Sequence, residues 1–238
     1  MTQVTRDRLY RRHRFPAEVI AHAVWLYFRF PLSLRMVEDL LAARGIIVSH
    51  QTVRLWAEKF GRHFAHDIRR RSAGKLGDKW HLDEAVISIG GKKHWLWRAV
   101  DQDGFVLDVL VQSRRNTKAA KRLMRKLLKG QGHVPRVMVT DKLRSYGAAK
   151  RDIMPGVDHR SHKGLNNRAE NSHQPTRRRE QIMKGFKSAR HLQRFVSIHD
   201  PVANLFHFPR HNIPSDHHRE LRAAAMRMWN EIARLQAA

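Results

Sequence analysis

Residues 80–91 have the sequence WHLDEAVISIGG, in which β-branched residues predict a strand and the glycine pair predicts a tight hairpin turn. This strand opens a segment that ends at residue 187 and contains three acidic residues in apolar or basic surroundings. Asp83 lies within the strand pattern, Asp141 ends the apolar run RVMVTD, and Glu170 lies in a helix-compatible stretch. We therefore expect three carboxylates on three different elements of one α/β domain.

The sequence that follows predicts an antiparallel meander, a helix and a buried strand. Two further strand patterns occupy 93–101, KHWLWRAVD, and 105–113, FVLDVLVQS. A capped helix with one apolar face is expected over 117–129, and the short run before Asp141 is typical of a strand buried on both faces. A right-handed crossover sets that strand parallel to the first and beside it, so Asp83 and Asp141 are expected on neighbouring strands.

The sequence after the second acid has weaker periodicity. Residues 151–165 are predicted to be irregular, and a helix that carries the third acid is expected to begin around Asn166. Pro175 either kinks this helix or lies near its start. A helical, apolar stretch follows over 186–206, with Pro201 as an interruption.

A last helix is predicted over 218–236, after a polar loop. Its apolar residues recur at alternating intervals of four and three, which is typical of a heptad seam. The seam either packs on its own domain or joins two copies of the chain, and two heptads are too few to decide between them. The seam residues are Leu221, Ala225, Met228, Ile232 and Leu235.

The N-terminal sequence predicts an arm and a DNA-binding unit. Residues 1–14 form an arginine-rich arm, either a solvated tail or a DNA contact. Three helices are expected over 15–68, and a tight glycine-containing turn between the second and third is typical of a helix-turn-helix unit. His50, Gln51 and Arg54 are then candidate contacts to DNA near the start of the third helix, although a plain structural bundle would show the same pattern.

Composition limits the class of protein. Lys and Arg number 47 against 21 Asp and Glu, a net charge of +26 that favours a polyanionic partner such as nucleic acid, although ribosomal and chromatin proteins share such basic surfaces. Cysteine is absent, which excludes disulfides and zinc knuckles. No signal peptide or membrane-length apolar run is found, so we expect a cytoplasmic protein with no membrane partner, associated with the bacterial nucleoid when bound to DNA.

Three carboxylates brought together from different elements are suited to divalent cations. Two such ions about 4 Å apart can activate an oxygen nucleophile and neutralise the leaving oxygen of a phosphodiester. Mg²⁺ takes one or two carboxylates and otherwise keeps water or substrate phosphate, so no histidine or cysteine ligand is needed. The negative charge of Asp141, at the end of a buried strand, would cost free energy of folding unless a cation or another partner balanced it. The residues therefore indicate phosphoryl transfer on DNA.

The chain resembles the insertion-sequence family six group of bacterial DDE transposases in five stretches. They are HLDEAVISIGGKKHWLWRAVDQDG at 81–104, SRRNTKAAKRLM at 113–124, TDKLRSYGAA at 140–149, LNNRAENSHQPTRRRE at 165–180 and KGFKSAR at 184–190. The resemblance implies a ribonuclease-H-like catalytic fold, two Mg²⁺ (or Mn²⁺) ions per site, and cut-and-join chemistry at transposon ends with cointegrate formation. It also implies that Asp83, Asp141 and Glu170 are the catalytic, metal-binding acids. The implied partners are the terminal inverted repeats and target DNA, bound by a homodimer or higher oligomer.

Some assignments within the resemblance are open. The interval from Asp141 to Glu170 is 29 residues (170 − 141 = 29), which is short for the family and places a trimmed loop within 151–165. Glu180 is the rival third acid. Glu84 is the rival first acid, although on a strand it points to the face opposite Asp83.

Further residues are expected at or near DNA. Arg177 matches the basic residue that follows the family's glutamate, and Arg178 and Lys184 are also candidate DNA contacts. Tyr146 is expected to pack or to contact DNA rather than to act as a nucleophile. Three histidines of this region either contact phosphate, orient the glutamate or lie at the surface, and the surface position is the one we expect for each; they are His159, His162 and His173.

The predicted fold is α/β, with a three-helix helix-turn-helix unit, a ribonuclease-H-like mixed-sheet catalytic domain and a C-terminal helix. Two other functions share these features: a metal-dependent DNA nuclease of the same fold, and a non-catalytic helix-turn-helix regulator. The expected segments are an arm at 1–14, a DNA-binding domain at 15–68, a linker at 69–79, a catalytic domain at 80–206, and a loop with the last helix at 207–238.

Overall fold

A computed structural model describes residues 7–208 and 213–235 of the chain. The first six residues of the predicted arm, positions 209–212 of the predicted loop and the last three residues therefore lie outside the described residues. Within the described ranges, no helix is both long and apolar enough to cross a membrane. The described part of the arm contains a short helical turn at Arg8–Tyr10, and the Tyr10 side chain is fully buried.

The N-terminal part of the chain forms three helices, α1 (Ala17–Arg29), α2 (Leu34–Ala42) and α3 (His50–Ser72). Two of these helices have side-chain caps, since the hydroxyls of Ser33 and Ser49 accept hydrogen bonds from backbone N–H groups at the starts of α2 and α3. α3 runs as far as Ser72, because its buried stripe extends along most of the helix. That stripe comprises Val53, Trp56, Phe60, Phe64 and Ile68.

A five-stranded mixed sheet forms the centre of the following part, in the order β3-β2-β1-β4-β5. The predicted meander is confirmed, since β2 pairs antiparallel with both β1 and β3. The predicted position of the buried strand is also confirmed, because β4 lies beside β1 and runs parallel to it after helix α4. The elements of this part are β1 (Lys79–Ile89), β2 (Lys92–Val100), β3 (Val106–Gln112), α4 (Thr117–Gln131) and β4 (Val137–Thr140).

The prediction that residues 151–165 are irregular is wrong. Helix α5 spans Arg144–Ile153, and β5 (Asp158–Ser161) pairs parallel with β4 at the edge of the sheet. All four residues of β5 are polar and none is buried, so the strand has no hydrophobic alternation to reveal it. Its pairing depends on backbone hydrogen bonds to a neighbour that is already part of the sheet.

The helix predicted from residue 166 is two helices, α6 (Asn167–Ser172) and α7 (Gln174–Ile182), which meet at His173. Pro175 lies in the first turn of α7, where its missing N–H removes no helical hydrogen bond. The helices thus change direction immediately after the third predicted acid, Glu170.

The predicted interruption at Pro201 does not occur, since α8 runs unbroken from Ala189 to Leu205. Proline lacks the N–H that would bond the carbonyl of residue 197. The Arg69 guanidinium, on α3, donates a hydrogen bond to the Ser197 carbonyl oxygen in its place. The freed acceptor is therefore satisfied from a neighbouring helix.

Apolar side chains form one core on each face of the sheet. On one face α4 and α5 pack against Trp80, Leu82 and Trp97. On the other face the sheet, α8, the three N-terminal helices and the last helix, α9 (Ser215–Ile232), share a single core. Of the predicted heptad seam, Ala225 and Ile232 are buried in this core, so the seam packs at least partly on its own chain.

Candidate active site

The first predicted acid and its rival are adjacent residues on β1 with opposite directions. Asp83 pairs across the strands with Arg98, and Glu84 pairs with Trp97. Trp97 belongs to the core under α4 and α5, so Glu84 points to that face and Asp83 to the face covered by α6. The expectation that the two carboxylates point apart is confirmed.

The second predicted acid, Asp141, follows the last residue of β4. Leu82 on β1 is paired with Thr140 on β4, and Asp83 and Asp141 each lie one residue beyond that pair. The two carboxylates therefore leave the sheet from neighbouring parallel strands at the same edge. Asp141 Oδ1 accepts a 2.9 Å hydrogen bond from the Leu143 N–H, which fixes the turn into α5.

The third predicted acid, Glu170, lies on the exposed side of α6. This short helix is held on the sheet at both ends. Asn166 Nδ2 donates a 2.8 Å hydrogen bond to the Leu82 carbonyl oxygen, and the Arg98 guanidinium donates to the Ser172 carbonyl oxygen. Two contacts from β1 and β2 thus fix the helix that presents Glu170.

These elements enclose one open cavity of about 1090 Å³. Its lining includes Asp83, Asp141 and Glu170, and its wall also carries four basic side chains. Glu84 lines it as well, whereas Glu180 does not. The basic residues are Arg115, Lys142, Arg144 and Arg177.

The donor set suits a hard divalent cation, because all three acids offer carboxylate oxygens to the same space. Among the described residues no three Asp, Glu, His or Cys side chains lie close enough together to enclose one ion. Mg²⁺ is ordinarily bound by one or two carboxylates, with water and substrate phosphate completing its shell. An open set of carboxylates around a shared cavity therefore fits such an ion.

Glu84 is engaged in a buried network rather than free. Its side chain accepts a 2.6 Å hydrogen bond from Arg115 and a 2.7 Å hydrogen bond from the hydroxyl of Tyr146. Burial raises the pKa of Glu84, and these two hydrogen bonds offset part of the rise. Arg115 also lies 3.5 Å from Asp141 Oδ2, so one guanidinium contacts two carboxylates at the edge of the cavity. The expectation that Tyr146 packs is confirmed, since it is fully buried.

The expectation of a surface position is wrong for His173. Its side chain is only 4% exposed, and its Nε2 lies 3.3 Å from Asp83 Oδ2. Burial lowers the pKa of His173, against the opposing effect of Asp83. His159 is half-buried and its Nε2 lies 2.9 Å from Thr140 Oγ1, whereas His162 is exposed as expected.

A buried ion pair lies beneath α6 and was not indicated by any sequence motif. Arg98 and Asp200 have side chains 1% and 4% exposed, and Arg98 Nη2 lies 3.1 Å from Asp200 Oδ2. Arg98 also donates a 2.8 Å hydrogen bond to Thr176 Oγ1, in α7. A single strand residue therefore joins α6, α7 and α8.

The remaining candidate DNA contacts lie outside the cavity. Gln51 and Arg54 are exposed on the first turns of α3, where Arg54 Nε is 3.3 Å from Glu58 Oε1. His50 Nδ1 lies 3.3 Å from Glu38 Oε2 on α2. Arg178 and Lys184 are both exposed. Arg177 alone of the predicted DNA contacts lines the cavity.

Comparison with known proteins identifies the family. A family model described as a DDE domain matches residues 77–208. The transposase for insertion sequence element IS257 in transposon Tn4003 of Staphylococcus aureus is 30% identical over 186 residues, which are 76% of this chain and 82% of that protein. The transposase for insertion sequence-like element IS431mec of Staphylococcus aureus strain N315 matches with the same identity and coverage.

Two solved structures also align with the chain. The catalytic domain of the Mos1 mariner transposase has a TM-score of 0.41 at 14% identity, over 73% of this chain and 90% of that one. The catalytic core domain of BIV integrase has a TM-score of 0.38 at 13% identity, over 63% of this chain and 99% of that one.

The family model covers more than half of the chain, and the chain covers most of each curated relative. The predicted fold class is therefore confirmed, with a ribonuclease-H-like mixed-sheet domain after an N-terminal helical part. The chain belongs to the insertion-sequence family six group of DDE transposases, DNA-cleaving and strand-transfer enzymes that depend on divalent metal ions.

Proposed function

We propose that this transposase binds the terminal inverted repeats of its insertion sequence, cleaves one strand at each end and joins the ends to target DNA by cointegrate-type transposition. The observation that carries the proposal is the cavity into which Asp83, Asp141 and Glu170 project from three separate elements. A binding protein without catalysis gains nothing from three carboxylates around one cavity, because like charges held near each other are unfavourable.

The three acids would hold two Mg²⁺ (or Mn²⁺) ions. When bound, such ions lower the pKa of an attacking water or hydroxyl and neutralise charge on the leaving oxygen. The oxygen-only donor set agrees with this choice. Glu170 is assigned as the third acid because it lines the cavity and the rival Glu180 does not.

The chain's own residues position the DNA for two successive in-line transfers. Arg177, Lys142 and Arg144 line the cavity beside the acids, where they can bind phosphates on either side of the scissile bond. Water hydrolyses the phosphodiester at the element's end and leaves a 3′-hydroxyl. That hydroxyl then attacks a target phosphodiester, displacing a target 3′-oxygen, and no bond to the enzyme forms.

The helices before the sheet supply the recognition of the ends. We assign residues 15–68 to terminal-repeat binding, 69–79 to a linker, 80–206 to catalysis, and 207–238 to a loop with the last helix. His50, Gln51 and Arg54, at the start of α3, are the candidate groove contacts, and Arg178 and Lys184 the candidate backbone contacts. The net charge of +26 favours DNA over neutral partners.

Both ends of an element must be cut in one complex, so the active species is a homodimer or higher oligomer on DNA in the nucleoid.

Strand transfer in vitro tests the proposal. The reaction contains DNA with the element's ends, target DNA, Mg²⁺, and either wild type, Asp141→Asn, Glu170→Gln or the matched control Glu180→Gln. We expect wild type and E180Q to join ends to target, and D141N and E170Q to bind the ends without cutting. Cleavage without joining by wild type would identify a nuclease, and binding without cleavage would identify a regulator.

A further inference from the structure

His173 occupies the junction between the helix of the third acid and the sheet. It ends α6 and begins α7, and its backbone N–H donates a 3.2 Å hydrogen bond to the Glu170 carbonyl oxygen. His173 lies three positions after Glu170, which is close to one helical turn. The position of His173 is therefore tied through the backbone to the position of Glu170.

The side chain of His173 is tied to the first acid instead. Its Nε2 lies 3.3 Å from Asp83 Oδ2, and the side chain is almost completely buried. At this distance a hydrogen bond is within reach, yet neither ring nitrogen makes one to any group in residues 7–208 or 213–235. A buried polar group without a partner is rare and costly, so its presence beside a catalytic carboxylate needs a reason.

We propose that His173 is a positioning residue for Asp83, which it holds by a hydrogen bond from Nε2 to Oδ2 so that Oδ1 faces the metal ions. This inference rests on the proposed function, in which Asp83 and Glu170 bind those ions. The χ2 torsion of an aspartate is broad, so a small rotation of the carboxylate aligns its oxygen with the Nε2–H.

The reason for the arrangement is geometric. Asp83 and Glu170 belong to a strand and a helix that are distant in sequence, yet their separation must stay constant for both to bind the same ions. One residue that contacts Asp83 with its side chain and Glu170 with its backbone couples the two directly. A group that hydrogen-bonds a metal-binding carboxylate through the oxygen that does not face the metal typically contributes about 10–100-fold to metal affinity.

The test compares His173→Leu with His173→Gln, whose amide nitrogen can replace Nε2 as a donor. His162→Gln is the matched control, because that histidine is exposed and nearby in sequence. Mn²⁺ affinity is measured on each full-length protein by isothermal titration calorimetry, with Asp83→Asn as the reference for loss of the site. The Mg²⁺ concentration for half-maximal strand transfer, and binding to terminal-repeat DNA, are measured in parallel.

We expect H173L to weaken Mn²⁺ binding and to raise the half-maximal Mg²⁺ concentration by roughly 10–100-fold, with binding to the ends unchanged. In both quantities we expect H173Q to lie closer to wild type than to H173L, and H162Q to equal wild type. If H173L does not fold, His173→Asn takes its place, because its shorter amide does not reach the Nε2 position.

Two results would overturn the inference: an H173L variant with wild-type Mn²⁺ affinity, or an H173Q variant as impaired as H173L, which would show that only packing matters. Failure of the proposed function is distinguishable, because D83N would then leave Mn²⁺ binding unchanged.

Discussion

The buried pair of Arg98 and Asp200 provides the sharpest test of how the site is supported. Burial alone disfavours the charged carboxylate, but Arg98 and His199 outweigh it, so the pKa of Asp200 lies below its ordinary value. Replacing Asp200 by leucine leaves the Arg98 guanidinium, 1% exposed, without its counter-charge. Removing one partner of a buried pair costs about 3–5 kcal/mol, so we expect D200L to lose that much free energy of unfolding.

Equilibrium urea unfolding of wild type and D200L measures this loss. The double variant Arg98→Met with Asp200→Leu is the internal control, because replacing both charges is typically neutral or stabilising by about 1–4 kcal/mol. The exposed pair of Asp216 and Arg219 is the matched control, and Asp216→Asn should leave the urea midpoint unchanged. A D200L variant that loses less than about 1 kcal/mol would refute the reasoning, since the pair would then be effectively solvated.

The double variant separates stability from positioning. Arg98 also donates to the Ser172 carbonyl and to Thr176 Oγ1, at the junction of α6 and α7. Those bonds are lost with methionine, so we expect the double variant to fold stably but to transfer strands poorly.

The contribution of the Arg98–Asp200 pair to the free energy of unfolding depends on pH with a defined sign. The pair's contribution is complete above the ordinary Asp pKa of about 3.9 and is lost as the pH falls through the lowered folded-state value.

Three further predictions concern single side chains. Tyr146→Phe removes the 2.7 Å hydrogen bond to the buried Glu84 carboxylate, so we expect a loss of about 1.5–3 kcal/mol in urea unfolding. Gly61→Ala places a methyl group 2.8 Å from the Phe28 ring, and overpacking of about 1–3 kcal/mol exceeds the helix-propensity gain of about 1 kcal/mol. The melting temperature should therefore fall. Leu55 is 66% exposed on α3, and we expect it to contact thymine methyl groups in the terminal repeat. Replacing one contacted thymine by uracil should weaken binding of wild type about fourfold, and of Leu55→Ala hardly at all, since one buried methyl group contributes about 0.8 kcal/mol.

Each of these has a comparison that can contradict it. Tyr10→Phe removes a hydrogen bond to a neutral backbone carbonyl instead, which contributes about 0.5–1.5 kcal/mol, so a loss in Y146F no larger than that in Y10F would show that the charge of Glu84 is unimportant. A G61A variant that melts above wild type would show that Phe28 moves aside at no cost. A uracil effect of the same size in L55A and wild type would exclude the methyl contact.

Hydrophobic periodicity was sufficient to predict the elements with a buried face. The meander, the capped helix α4 and the parallel position of β4 all follow from patterns that the sequence displays directly. The polar strand β5 has no such pattern, because its place is determined by the backbone of β4. The unbroken course of α8 through Pro201 depends on Arg69, which is distant in sequence. Such long-range compensation is not visible in local sequence.

In the candidate site, too, some residues could be predicted from local sequence and others could not. The three acids were proposed because each departs from its surroundings in charge and because the motifs resemble a family. Arg98 and Asp200 were missed and His173 was placed at the surface, since these residues become partners only when α6, α7 and α8 pack on the sheet. His173 in particular was expected in water because no apolar periodicity surrounds it.

The N-terminal helices pack against the last helix, α9, and this contact has a consequence for synthesis of the chain. Tyr10 donates a 2.6 Å hydrogen bond to the Ala233 carbonyl oxygen, and Phe64 packs edge-on against Trp229 with ring centroids 5.1 Å apart. The core beneath the first helices therefore stays open to water until α9 has left the ribosome. A product truncated by a premature stop would expose that apolar face, which favours aggregation and degradation over release of a partly active enzyme.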